Sequence, residues 1–274
     1  VTPEQEKKYS ALIGYNAVVW LWVPIQSFVL VYALFRISSA DFSTAEFTGA
    51  VFSVGILTGA IGITWAHELC HRTGRLEKAM AEILLSQVSY AHFAIEHVYG
   101  HHRHVATPLD PATSRLGETF YHFLPRTVLG GILSAWRIEK QQQLKKGRSV
   151  FDFRNRMLRY FLVQVFIYGG LGFLGGWKLI LFFAGQALVA ITLLETVNYL
   201  EHYGLTSCLA TACHEIGLLP THHGATCVQR FRCRRASRGE VVLCHGYMDH
   251  AGLYGALVKH LLAQRYDVVI FDLL

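Results

Sequence analysis

Residues 11–35 carry no formal charge, and neither do residues 47–66. A helix rises about 1.5 Å per residue, so runs of this length reach across a hydrocarbon core of roughly 30 Å. Lipid offers no partner for backbone N–H and C=O groups, so such a run folds as a helix that bonds to itself. The second run is rich in Gly and Ala, which let membrane helices approach closely. A third apolar stretch, residues 160–194, is interrupted only by Lys178, just after Gly175-Gly176. It reads as two short crossings joined by a tight turn. Burying all three stretches inside a soluble core would be difficult in 274 residues.

Composition points the same way. The chain is 52% hydrophobic and 16% charged, against about a quarter charged in soluble domains. With 6 Pro and 6 Cys it is neither a disordered chain nor a disulfide scaffold. The net charge of +6 comes from Lys and Arg lying between apolar runs, densest from Arg72 to Lys78 and from Arg103 to Arg159. This pattern suits the cytoplasmic face of a membrane better than nucleic acid. Lys7 and Lys8 agree with that side. The opening VTPEQEKKYS has neither an initiating Met nor a signal-peptide pattern, so the chain is expected to be a fragment.

Three histidine clusters lie at the ends of these runs. His67-Glu68-Leu69-Cys70-His71 places two imidazoles one helical turn apart on one face. H-E-x-x-H alone would suggest a zinc protease with Glu as base. Glu96-His97-Val98-Tyr99-Gly100-His101-His102 adds another i, i+4 pair with a third imidazole beside it, and Asn198 to Gly204 adds His202. That exceeds the three protein ligands usual for a catalytic zinc. Imidazole-rich sites suit iron, copper or zinc, and two irons fit oxygen chemistry on an apolar substrate best. Polar groups gathered at membrane-helix ends are usually functional, whereas His92, His104 and His122 read as ordinary hydrogen-bonded side chains. Residues 83–95 are apolar but too short to span, and histidines bracket them on both sides. If those histidines meet, this segment enters and leaves on one side, as a re-entrant or interfacial helix.

HELCHR, then IEHVYGHHRHVATPLDPATSRLGE from Ile95 to Glu118, then NYLEHYGL from Asn198 to Leu205, resemble the membrane-bound alkane 1-monooxygenases. These belong to the integral-membrane di-iron group that also holds the fatty-acid desaturases. The resemblance covers residues 1–205. It implies an all-α membrane helical bundle with a histidine-rich di-iron site on the cytoplasmic side of the bacterial inner membrane. The implied ligands are His67, His71, His97, His101, His102 and His202, with Glu68, Glu96 and Glu201 as outer acceptors that orient the imidazoles. The implied reaction is O2-dependent hydroxylation of the terminal methyl of a medium- or long-chain alkane to a 1-alcohol. Electrons would pass from NAD(P)H through a reductase and rubredoxin. The family's last histidine motif, of the form LQRHSDHH, does not follow NYLEHYGL; the nearest text is Pro220-Thr221-His222-His223-Gly224. Six imidazoles for two irons leave one iron short of ligands, so an inactive membrane remnant or fusion product is the rival expectation. A related di-iron desaturase or alkylaromatic hydroxylase is the rival within the enzyme class.

Residues 240–274 read as strand, turn, helix and strand. With His245-Gly246 after the first strand, they resemble the opening of an α/β-hydrolase of the monoacylglycerol lipase or lysophospholipase type. No G-x-S-x-G nucleophile elbow occurs, so serine hydrolase chemistry is not expected. Residues 206–239, with Cys208, Cys213, Cys227 and Cys233 too widely spaced for a zinc pair, are expected to be a linker, or sequence out of its natural frame, without a metal site.

Overall fold

The computed structural model describes residues 13–105, 107–203, 212–221, 224–233, 236–244 and 254–272. His222, His223, Cys208 and the His245-Gly246 turn lie outside the described residues. Among the described residues, α1 is Ile13–Ser39 and α2 is Thr44–Ile56, continued by a π-helix at Leu57–Ile63 and by α3, Thr64–His71. Next come α4 (Arg75–Gln87), α5 (Phe93–Glu96), a π-helix at His97–His101 and α6 (His102–His104). Two long helices, α7 (Phe120–Lys145) and α8 (Arg156–His202), lead to β1 (Ala212–Thr221), β2 (Gly224–Cys233), β3 (Gly239–Cys244), α9 (Gly255–Ala263) and β4 (Tyr266–Asp272). The chain divides into two compact units, Val1–Gly100 with Gly131–Leu194, and His101–Gly130 with Glu195–Leu274.

Three helical stretches are long and apolar enough to cross a membrane: Asn16–Ser39, Thr44–His71 and Arg156–His202. The second begins at a capping box. Ser43 Oγ accepts from Glu46 N–H at 3.3 Å and the Glu46 carboxylate accepts from Ser43 N–H at 2.9 Å, which answers two of the helix's first N–H groups. Within it, small residues meet neighbouring helices at backbone distance. A Cβ on Gly59 would fall 2.8 Å from the Ala190 Cα, and one on Gly55 would fall 2.6 Å from Val189 Cβ.

The third stretch turns back on itself, as the Gly175-Gly176 pair predicts. Gly176 adopts φ 64°, ψ −155°, a region essentially restricted to glycine. A straight helix would separate Tyr168 from Phe183 by about 22 Å, yet their ring centroids are 5.4 Å apart. Both arms pack on α1, where Leu30 and Ile37 join Leu171, Leu179, Phe182 and Phe183 in one buried cluster.

Between the second and third stretches lies the short segment expected to be re-entrant. Its helix starts earlier than the apolar run, at Arg75, because only its inner face, Ala81, Leu84 and Leu85, is buried. Thirteen residues rise only about 20 Å, so α4 ends before it could cross. Its last carbonyls are answered by side chains: Gln164 Nε2 donates to Ser86 O at 2.9 Å and Gln186 Nε2 to Gln87 O at 2.8 Å. The chain then turns through Ser89 at φ 54° and returns as α5. The Gln87 side chain continues this polar seam, accepting from Gln26 Nε2 at 3.0 Å and donating to Ser27 Oγ at 2.6 Å. Thr58 Oγ1 donates to Gln186 Oε1 at 2.8 Å.

In the second unit the strands form one sheet in the order β1-β2-β4-β3. β2 is antiparallel to both β1 and β4, while β3 and β4 are parallel and joined through α9. At the end of the chain the structure shows a small mixed sheet. Residues 212–221 and 224–233, within the segment expected as linker or out-of-frame sequence, supply two of its strands. The Arg-rich text conceals a period of two. Phe231 packs with Val258, Leu262, Val268 and Ile270, with Cys233 beside them, while Arg230 and Arg232 pair with Glu240 and Glu215 at 3.6 and 3.5 Å. Burial pushes the Cys233 thiol pKa up.

Glycine at position 59 is required by the close approach of Ala190, which is backbone and cannot swing aside. Gly59→Ala is expected to destabilise the chain by about 1–3 kcal/mol through overpacking. Gly49→Ala, with nothing within 4 Å of its new Cβ, should be neutral or slightly stabilising. Melting both variants in the same detergent checks this.

Candidate metal centre

His67 and His71 stand on α3, where the helical repeat stacks them on one face. The turn after α4 brings His97 back to them. His71 Nε2 lies 3.3 Å from His67 Nε2 and 3.3 Å from His97 Nε2, and the ligand nitrogens of the three lie within 4.8 Å of one another. Metal–imidazole bonds of about 2.1 Å place neighbouring nitrogens about 3.0–3.4 Å apart for right-angled to tetrahedral geometry. The observed separations fit that range. Phe93 stacks on the His97 ring at 4.6 Å and 17°, fixing its plane and covering it with an apolar face.

In the second unit, His101 and His202 meet with ring centroids 4.9 Å apart. Both are buried, and each has its Nδ1 committed. His101 Nδ1–H donates to Asp110 Oδ2 at 2.9 Å, and His202 Nδ1–H donates to the Asn198 carbonyl at 2.7 Å. An imidazole that donates from Nδ1 presents its lone pair on Nε2, which is how proteins aim histidines at metals. His102 is half-buried, its ring centroid 5.8 Å from that of His101.

Asp110 is the acceptor that sequence reasoning missed. It sits in the ATPLDPAT text, where Asp before Pro signals a turn but not its target. Its carboxylate also accepts from Ala112 N–H at 3.0 Å and Thr113 Oγ1 at 2.5 Å. Burial pushes its pKa upward, but the charge and hydrogen bond of His101 and the Thr113 hydroxyl outweigh it and bring the carboxyl down to about 2. It is therefore an anion throughout the working range, as an imidazole-orienting group has to be.

The expected outer acceptors are Glu68, Glu96 and Glu201. Glu68 is turned to Arg72, 3.1 Å away, the residue one turn along α3. Glu96 is buried, and its Oε1 lies so close over Gly100 that a Cβ there would be 2.6 Å from it. Glu201 is half-buried at the end of α8. His92 and His122 make other contacts. His122 Nδ1 lies 3.0 Å from Thr119 Oγ1. His92 rests on Tyr90 with ring centroids 4.4 Å apart, and burial lowers its pKa to about 4.

The chain matches the fatty acid desaturase family over residues 44–244. It is 41% identical over 207 residues to alkane 1-monooxygenase 1 of Pseudomonas aeruginosa, covering 74% of this chain and 54% of that protein. It is 44% identical over 157 residues to alkane 1-monooxygenase 2 of the same organism, 57% of this chain and 42% of that protein. With the xylene/toluene monooxygenase hydroxylase component XylM of Pseudomonas putida it shares 31% over 160 residues, 58% of this chain and 43% of that protein. The chain spans about half the length of the curated relatives it matches.

Asp110→Asn keeps the shape of the side chain but removes the charge that His101 answers. It is expected to weaken Fe(II) binding by roughly 10–100-fold, the usual cost of losing such an acceptor. Titration of the metal-free purified chain with Fe(II) measures this.

Proposed function

Because the chain belongs to the fatty acid desaturase family and is an integral membrane protein with three apolar stretches of spanning length, we propose that it holds two irons and hydroxylates alkanes with O2. The terminal methyl of a medium- or long-chain alkane becomes a 1-alcohol, with electrons supplied by rubredoxin and, behind it, an NAD(P)H-dependent reductase. The observation that carries this reading is the convergence of His67, His71 and His97 on one point. His102 is proposed as a further ligand, as the IEHVYGHH motif implies. His101 and His202, whose Nδ1 atoms are held by Asp110 and the Asn198 carbonyl, are proposed as further ligands.

When bound, the irons supply activation of O2 and cleavage of the C–H bond. The residues of the chain do the rest. The imidazoles are neutral nitrogen donors, so the centre keeps its positive charge beside an apolar wall that includes Phe93. Asp110 and the Asn198 carbonyl hold two rings in the tautomer and direction that a ligand needs. Lys and Arg flanking the apolar stretches support placing the centre on the cytoplasmic side of the bacterial inner membrane, within reach of a soluble electron carrier.

The similarity to XylM favours a second reading, hydroxylation of an alkylaromatic methyl group at the same centre. Iron analysis of the detergent-purified chain is expected to give two irons per chain, lost on combined His67→Ala and His71→Ala replacement. Octane supplied with rubredoxin, reductase and NADH should yield 1-octanol. Conversion of xylene but not octane would favour the second reading, and bound iron without product would favour an inactive remnant.

A further inference from the structure

The loop between α6 and α7 carries the PLDPATSRLGE text and is built around one guanidinium. Arg126, in the second turn of α7, packs its head over the Phe123 ring, 5.3 Å from the centroid. It grips both Glu118 oxygens, Nε to Oε1 at 2.7 Å and Nη2 to Oε2 at 2.8 Å. The same fork donates from Nη1 to Pro111 O and from Nη2 to Thr113 O, both at 3.0 Å. Those carbonyls flank Ala112, and the Ala112 N–H and Thr113 hydroxyl are the two groups that hold Asp110. Asp110 in turn holds His101 Nδ1. The far end of the loop is stitched to the helix end bearing His202. Ser114 Oγ donates to Tyr199 O at 2.8 Å, Tyr199 OH to Glu118 O at 2.7 Å, and Gly117 N–H to Tyr203 OH at 3.1 Å.

We propose that Arg126 is a positioning residue for the metal centre: by clamping the Pro111 and Thr113 carbonyls and Glu118, it fixes the Asp110 carboxylate that aims His101. No shorter side chain and no ammonium can replace it, because the four contacts use the planar fork, which Lys lacks. The inference rests on His101 being an iron ligand, as proposed above. It gives the loop motif a role that the histidine clusters alone leave unassigned.

The test compares R126K, E118Q, D110N and the double variant R126K/D110N in the purified full chain. In metal-free protein, carbethoxylation by diethyl pyrocarbonate is followed peptide by peptide. R126K should raise the reaction rate of His101 to that of D110N while His67 stays at the wild-type rate. E118Q, which weakens the fork but keeps the guanidinium, should move His101 in the same direction by less. Fe(II) affinity should fall roughly 10–100-fold in both R126K and D110N, and the double variant should bind no more weakly than D110N, since both changes break one chain of contacts. An unchanged His101 rate in R126K, an equal rise at His67 and His101, or losses that multiply in the double variant would each overturn the proposal. A wild-type chain that takes up no Fe(II) would remove the iron reading instead, and the His101 rates would still decide whether Arg126 aims it.

Discussion

A helix that stops inside an apolar surround must have its last carbonyls answered by protein, because lipid has nothing to offer them. The end of α4 is that place here, and much of the first unit is organised around it. Gln164 and Gln186, one on each arm of the α8 hairpin, donate to the carbonyls of Ser86 and Gln87. Gln26 and Ser27 of α1 take up the Gln87 side chain. The seam works only if α8 folds back at Gly175-Gly176, since a straight helix would part the two glutamines by about 33 Å. Polar side chains placed singly in three apolar segments thus bring those segments to one point, where their burial costs little because each finds a partner.

From that anchored turn the chain has to return the way it came, and this delivers His97 to His71. The histidine cluster of the first unit is in this sense a consequence of the re-entrant geometry. A segment that crossed the bilayer would have left the two histidine motifs about 30 Å apart. The second unit solves a different problem. His101 and His202 are buried, and a buried imidazole is useful to a metal only if its other nitrogen is satisfied and its plane is held. Asp110 and the Asn198 carbonyl do this, one by charge and one by backbone geometry, and the loop between them is fastened at both ends.

Several of these features were readable from the residues. Uncharged length predicts the membrane stretches, Gly-Gly predicts the reversal within α8, and i, i+4 spacing predicts the pairing of His67 with His71, because each depends on interactions within a few turns of helix. Others were not. The helix of the re-entrant segment begins eight residues before its apolar run, since only one of its faces is buried. Residues 212–221 and 224–233 form strands despite a linker-like composition, because Arg230 and Arg232 find acidic partners across the sheet and leave Phe231 to the core. Glu68, placed beside a histidine by sequence, is taken by Arg72, and the acceptor that reaches His101 lies nine residues downstream of it.

The sequence by itself determined where lipid is met, which histidines stand on common helix faces and which family motifs are present, since charge, length and helical period are local properties. Which nitrogens converge, which tautomers are held and which carboxylate holds them was decided by the tertiary structure. Those outcomes depend on contacts between residues far apart in the chain, such as Gln87 with Gln26 and Gln186 or Ser114 with Tyr199, and no spacing within a single segment encodes them.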